Sequence, residues 1–182
     1  MTPPAGKITS VITYLEMTEQ PTSPTPPTPA AKLALLRAEQ PSCAFYRFLH
    51  DQVGGGQLWR EERRAMSDAE LARIIADDRF EVYVLYAAGV PAGFSEFDRR
   101  RRPDIELACF GLLPDFAGRG FGAYLLRWTI DQAWTHQPER LWVRASSGDD
   151  PHALSLYQRC GFVVYDQKTV TTDDLDPDAG RD

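Results

Sequence analysis

Cysteine and histidine are equally scarce in this chain, three of each. Cys43, Cys109 and Cys160 are odd in number and scattered, which excludes a disulfide framework. His50, His136 and His152 are equally dispersed, and no ligand spacing of a structural metal site occurs, so no metal is expected. Positive charge is also in deficit: 20 Lys and Arg stand against 26 Asp and Glu, a net charge of −6. A nucleic-acid partner, which calls for a basic domain, is therefore not expected. No apolar run approaches the length of a transmembrane helix, so no membrane partner is expected. No basic segment followed by an apolar one opens the chain, which makes the cytoplasm the expected location.

What is present is ordinary globular material. The 182 residues are 43% hydrophobic and 25% charged, enough for one domain with its own core. Residues 1–30 read as an N-terminal strand and a connector, and 31–182 as the main domain. Within the first part, Ser10–Met17 is β-branched and aromatic, and five prolines crowd 20–30, where neither helix nor central strand can form. Lys32–Ala38 reads as a strand pairing with the first. Ser42–Asp51 reads as a helix with Ser42 at its N-cap and Phe45, Phe48 and Leu49 on its apolar face. A Gly54–Gly55–Gly56 hinge follows. Ser67-Asp68-Ala69-Glu70 is a capping box that opens a second helix. Three strands come next, Phe80–Ala87, Pro91–Asp98 and Ile105–Leu113, with the run Arg99–Arg102 in a charged hairpin turn. Helix 120–134, strand Arg140–Ala145, helix 151–159 and strand 162–170 complete the order. This is not a run of βαβ units, and the glycine spacing below misses the dinucleotide-binding fingerprint.

The strongest chemical signal is Leu112-Leu113-Pro114-Asp115-Phe116-Ala117-Gly118-Arg119-Gly120-Phe121-Gly122-Ala123. An apolar strand ends in a turn, three glycines alternate, and a helix opens. Such a turn aims backbone N–H groups outward at a helix N-terminus, where the dipole also favours an anion such as a phosphate. A ligand-free glycine connector is the plain alternative.

About thirty residues on stands Asp149-Asp150-Pro151-His152-Ala153-Leu154-Ser155-Leu156-Tyr157-Gln158-Arg159-Cys160-Gly161-Phe162. Together the two stretches resemble the GNAT family of N-acetyltransferases, over roughly residues 67–170. The first matches the family's acyl-CoA loop, Gln/Arg-x-x-Gly-x-Gly/Ala, with Ala117 at its Gln/Arg position. The second matches Asn-x-x-Ala-x-x-Leu-Tyr-x-x-x-Gly-Phe, with Asp150 at its Asn position. The resemblance implies an α/β fold, a central mixed and mostly antiparallel sheet flanked by helices, with the N-terminal strand as an extra arm. It implies acetyl-CoA as cosubstrate, a small-molecule or peptide amine as acceptor, and a monomer or homodimer.

It also implies roles. Ala117, Gly118, Arg119, Gly120, Phe121, Gly122 and Ala123 would hold the cofactor phosphates mainly through backbone, with Asp150 nearby. The N–H of Phe110 would hold the acyl carbonyl, and Leu112 would pair with the pantetheine arm after a bulge near Gly111 splays the strand. Glu106, on the same strand face as Ala108 and Phe110, would be the base that deprotonates the amine, with Asp104 and Glu96 as alternatives. Tyr157 would give a proton to the departing thiolate. Trp59 and Arg63 would shape the acceptor pocket, the arginine by gripping a carboxylate. Cys109 and Cys160 read as small core residues. A non-catalytic acyl-CoA-binding module with the same fold is the rival reading.

Overall fold

The computed structural model describes residues 7–53 and 62–173. It contains strands β1 (Lys7–Met17) and β2 (Leu33–Arg37), helices α1 (Cys43–Gln52) and α2 (Asp68–Ile75), strands β3 (Phe80–Ala87), β4 (Val90–Asp98) and β5 (Asp104–Leu112), a 3-10 turn at Pro114–Phe116, helix α3 (Phe121–Trp134), strand β6 (Arg140–Ser146), helix α4 (Ala153–Arg159) and strand β7 (Val163–Asp173). The expected Gly54–Gly56 hinge lies outside the described residues.

The strands form one mixed sheet in the order β2-β3-β4-β5-β6-β1-β7. Every pairing is antiparallel except β5 with β6. This is the expected fold class, with one correction. β2 does not pair with β1; it lies along β3, Leu33 opposite Ala87. β1 is instead interior, between β6 and β7. The proline-rich segment spans that distance. Arg127 on α3 fastens it, donating from Nη1 to the Ser23 carbonyl at 2.7 Å.

The sequence fixes both early helix starts locally. Ser42 accepts from the Phe45 N–H, and Ser67 with Glu70 forms the reciprocal capping box. The apolar face of α1 differs from expectation: Tyr46, Leu49 and His50 are buried, while Phe48 is largely exposed. A histidine occupies an apolar face because a buried carboxylate waits beneath it, as described below.

Helices α1 and α2 cover one face of the sheet, where Tyr46, Leu49, Leu71 and Ile75 pack on Val82, Val84 and Phe94. Helices α3 and α4 cover the other, where Leu126, Ile130 and Tyr157 pack on Phe97, Leu107 and Val143. Burying one such aliphatic or aromatic side chain contributes roughly 1.5–3 kcal/mol.

Candidate active site

Two irregularities in β5 create the site. The first is a bulge. Glu96 pairs with Cys109, but Phe97 pairs with Leu107, so Ala108 is one residue extra on β5. A bulge was expected at Gly111. That glycine has another cause: a Cβ there would stand 2.2 Å from Cγ1 of Val53, at the end of α1. The bulge also reverses facing. Glu106, Ala108 and Phe110 do not share a face as strict alternation requires. Leu107 lies in the α3–α4 core and Cys109 in the α1–α2 core, while Phe110 turns to meet Tyr157 edge-on at 6.1 Å.

The second is a splay. β5 and β6 pair in parallel from Asp104 opposite Arg140 to Leu107 opposite Val143, and there the ladder stops. Beyond it, β5 runs on to Leu112 and β6 to Ser146. The strands part and leave one edge of β5 without a sheet partner. A cleft of about 720 Å³ fills the gap. Its walls are Leu107–Leu112 on one side, Val143 and Arg144 on the other, and Tyr157 with Leu156 at the back.

The glycine turn closes one end. Gly118 and Gly120 have φ of +71° and +82°, left-handed values that cost an L side chain about 1–2 kcal/mol. Gly120 is the N-cap of α3, no side chain caps that end, and the first turn holds no acidic residue. Its leading N–H groups therefore keep their bonding capacity for a ligand. Ala117, Gly118, Gly120, Gly122 and Ala123 all border the cleft. Two other expected members do not enter it with their side chains. Phe121 is buried in the core. Arg119 lies over the rings of Phe116 and Phe121, its guanidinium carbon 5.6 and 5.2 Å from their centroids.

At the other end, Asp150 borders the cleft but spends Oδ1 on the His152 N–H at 2.8 Å, holding the turn into α4. Its neighbour Asp149 also lines the wall and accepts from the Ser146 N–H at 2.8 Å. Burial raises the Asp149 pKa, against that hydrogen bond. Tyr157 is buried, and burial pushes its phenol well above the ordinary tyrosine value, so it remains a hydroxyl donor at every working pH.

The three carboxylates considered as bases have different fates. Asp104 is held by Arg140, 2.5 Å from its Nη2. Glu106 lies 3.3 Å from Nε of Arg144, which also reaches Glu62. Burial raises the Glu106 pKa and Arg144 opposes that rise, with the net shift upward. Glu96 is fully buried, its Oε1 2.5 Å from Nε2 of His50. Burial would raise its pKa, but His50, Arg63 and the Tyr46 hydroxyl together hold it below the usual carboxylate range.

Trp59 lies outside the described residues. Arg63 is turned inward: Nε donates to the Tyr46 hydroxyl at 3.0 Å, and the guanidinium lies over Phe80. Arg144, Asp149 and the His50–Glu96 pair were not foreseen as site features. Tyr46 and His50 at an i, i+4 spacing were the available signal for the pair.

The family model described as the acetyltransferase (GNAT) family matches residues 44–162, more than half the chain. The chain belongs to the GNAT acetyltransferase family. Among solved structures, it is similar to a GCN5-related N-acetyltransferase from Kribbella flavida at 18% identity and TM-score 0.62, covering 94% of this chain and 61% of that one. It is also similar to a tandem GNAT protein from the clavulanic acid biosynthesis pathway, at 16% identity and TM-score 0.60, covering 93% and 55%. A third similarity is to AAC(6')-Iy in complex with the bisubstrate analogue CoA-S-monomethyl-acetylneamine, at 20% identity and TM-score 0.55, covering 73% and 92%. At these identities the likeness shows the GNAT fold. The chain spans less than two thirds of the Kribbella and tandem proteins. A comparison with curated proteins finds no match. No helix among the described residues is long and apolar enough to cross a membrane.

Proposed function

We propose that this GNAT domain transfers an acetyl group from acetyl-CoA to a primary amine of a small molecule or peptide. The observation that carries the reading is the parting of β5 and β6 after Leu107 and Val143, directly beside the uncapped start of α3. An extended pantetheine arm can add to the free edge of β5 as a strand would, at Leu112. The phosphates then meet the N–H groups of the 117–123 turn, where the helix dipole favours them. AAC(6')-Iy, of the same fold, accommodates a CoA-bearing analogue.

The N–H of Phe110, just past the bulge, is the donor for the carbonyl oxygen as it gains charge. The amine approaches from the α1–α2 side, where Arg63 and Glu106 stand. An alkylammonium near pKa 10 must lose a proton before it attacks. Glu106, with its raised pKa, accepts that proton through a water. The Tyr157 hydroxyl points its dipole to the sulfur that leaves. Its high pKa suits it to stabilise the thiolate by hydrogen bonding while the proton itself is exchanged with solvent.

The test is a screen of amino acids, polyamines, aminoglycosides and peptide N-termini for acetyl-CoA-dependent release of CoA. With a turned-over amine in hand, Glu106→Gln is expected to lose most activity at neutral pH and much less at high pH. Tyr157→Phe is expected to lower the single-turnover rate about 10²-fold while leaving CoA affinity within a few fold. Absence of acetyl-CoA binding in calorimetry removes the donor assignment. A Glu106→Gln profile parallel to the parent removes the base.

A further inference from the structure

The two edges of the sheet are unlike. β2, at one edge, is five residues long, whereas β7, at the other, runs for eleven and is exposed from Val163 to Thr169. A long edge strand presents a row of unpaired N–H and C=O groups, a template for another strand. Three consecutive apolar side chains open β7: Val163, Val164 and Tyr165 are 66%, 37% and 44% exposed. Val11, beside them on β1, is exposed too. Four of the seven exposed large apolar side chains among the described residues thus gather at this edge, and such a concentration marks a contact surface.

β7 carries one guard of the usual kind, Lys168, whose ammonium lies 5.1 Å from the centroid of the Tyr14 ring. A lone edge lysine repels a like strand. Here it stands two residues from Asp166 on the same face, 3.7 Å from that carboxylate, and both side chains are exposed. A strand with Asp and Lys in this order is complementary to its own reverse. One further feature fixes how two such strands can meet. Tyr14 lies opposite Asp166 and Leu15 opposite Val164, so Tyr165 is an extra residue, a bulge.

We propose that β7 is the interface between two copies of this chain, paired antiparallel to itself across a two-fold axis at Gln167. A two-fold contact brings the same patch of each copy together. Residues directly opposed in an antiparallel pair share a face, so the axis passes at a residue and not between two. At Asp166 it would set carboxylate against carboxylate, and at Lys168 ammonium against ammonium. At Thr169 or Val170 it would leave Lys168 opposite Val170 or Thr172, with no carboxylate. At Gln167 it sets Asp166 opposite Lys168 of the second copy, twice, and the four charges alternate in sign around the axis. The bulge fits this register. Tyr165 and Asp166 count as one position, so Val164 falls opposite Thr169 of the second copy and Val163 opposite Val170. Thr169 is itself opposite Val11 on β1, which lays Val164 of the second copy in the row of the exposed Val11. Two seven-stranded sheets join edge to edge, and the cleft between β5 and β6 stays open in each copy. The pairing is independent of the acetyl-CoA reading.

Sedimentation velocity of the full chain over a concentration series tests this. The parent is expected to show a monomer–dimer equilibrium. Lys168→Asp and Asp166→Lys each set like charges opposite one another at two places, and each is expected to weaken dimerisation about tenfold or more. In an equimolar mixture of these two variants, Asp meets only Lys, and the dimer is expected to return. That recovery separates lost pairing from misfolding. Gln167→Cys sets two thiols opposite each other with Cα atoms about 4.5–5.5 Å apart, within disulfide reach, and is expected to cross-link the copies under mild oxidation. The parent, with Cys43, Cys109 and Cys160, and a Thr169→Cys variant, offset from its own counterpart, are expected to stay uncross-linked. A parent still monomeric at about 1 mM overturns the proposal. So does a dimer that both charge variants leave intact, or a mixture of the two that fails to recover it.

Discussion

Two buried glutamates on neighbouring strands carry nearly the same retinue and sit in very different places. Glu96 on β4 has His50, Arg63 and Tyr46 around it. Glu81 on β3 has His136 at 3.2 Å, Arg99 at 2.5 Å and the Tyr83 hydroxyl at 2.6 Å. In both, burial alone would raise the carboxyl pKa, and the partners outweigh it and hold the group ionised. The difference is the surrounding backbone. Glu81 faces the α3 side, where its partners tie the β4–β5 hairpin and the end of α3 to the sheet. Glu96 is paired to Cys109 at the bulge and faces α1, behind the strand that walls the cleft. One constellation is a clamp. The other stands beside a reactive edge. Residue chemistry alone does not separate them; the splay between β5 and β6 does.

The largest effects expected are those that remove each charge. Glu96→Gln removes the buried carboxylate that accepts from His50 and balances the half-buried Arg63, and loss of one partner from a buried pair typically costs about 3–5 kcal/mol. Glu81→Gln is expected to cost less, because Arg99 and His136 retain some contact with water. Denaturant midpoints at pH 7 measure both, and equal losses would break the contrast. The pH dependence has a defined sign. Both carboxyl pKa values are lower in the folded protein, so their stabilisation is present above the unfolded value of about 4.3 and fades as pH falls through the folded values. The two variants are expected to show flatter acid limbs than the parent.

A smaller effect is expected from Gly120→Val. The left-handed φ at this N-cap strains a β-branched residue by about 1–2 kcal/mol, and the side chain enters the phosphate turn. In the parent, acetyl-CoA at a hundred times its Kd should add about 2.7 kcal/mol. The variant is expected to lose that ligand-induced rise in Tm. A comparable rise in the variant would place the phosphates elsewhere.

Hydrogen exchange sharpens the comparison further. Saturating acetyl-CoA is expected to slow the amides of residues 108–112 about tenfold or more, in the manner of a newly paired edge. Residues 99–103 beside the Glu81 clamp should be unaffected. Uniform protection of both segments would argue for general tightening and against strand addition at β5.

The smallest effect concerns Glu106. Its folded pKa is raised, so its contribution is fully present below the unfolded value and lost as pH rises through the folded one. Glu106→Gln is therefore expected to be at least as stable as the parent at pH 7, with the difference closing in acid. A clear destabilisation at pH 7 would mean that the Arg144 ion pair dominates at this position.

The sequence by itself determined what is local. The caps at Ser42 and Ser67, the strand character of β3 to β5, and the glycine turn ending at Gly120 all follow from interactions within a few residues. Their physical basis is short-range: an N-cap hydroxyl, runs of apolar strand-forming residues, a backbone free to take positive φ. Only the tertiary structure decided the rest. β1 lies between β6 and β7 because a strand's partner is chosen by the edges available, and edges exist only once the sheet does. The bulge at Ala108 depends on how β5 registers against β4, and it alone turns Glu106 and Phe110 to opposite faces. His50 and Glu96 are 46 residues apart, and their 2.5 Å contact is set by the packing of α1 onto the sheet. A histidine on an apolar helix face carries no mark of its partner in the sequence, because the partner is supplied by the fold.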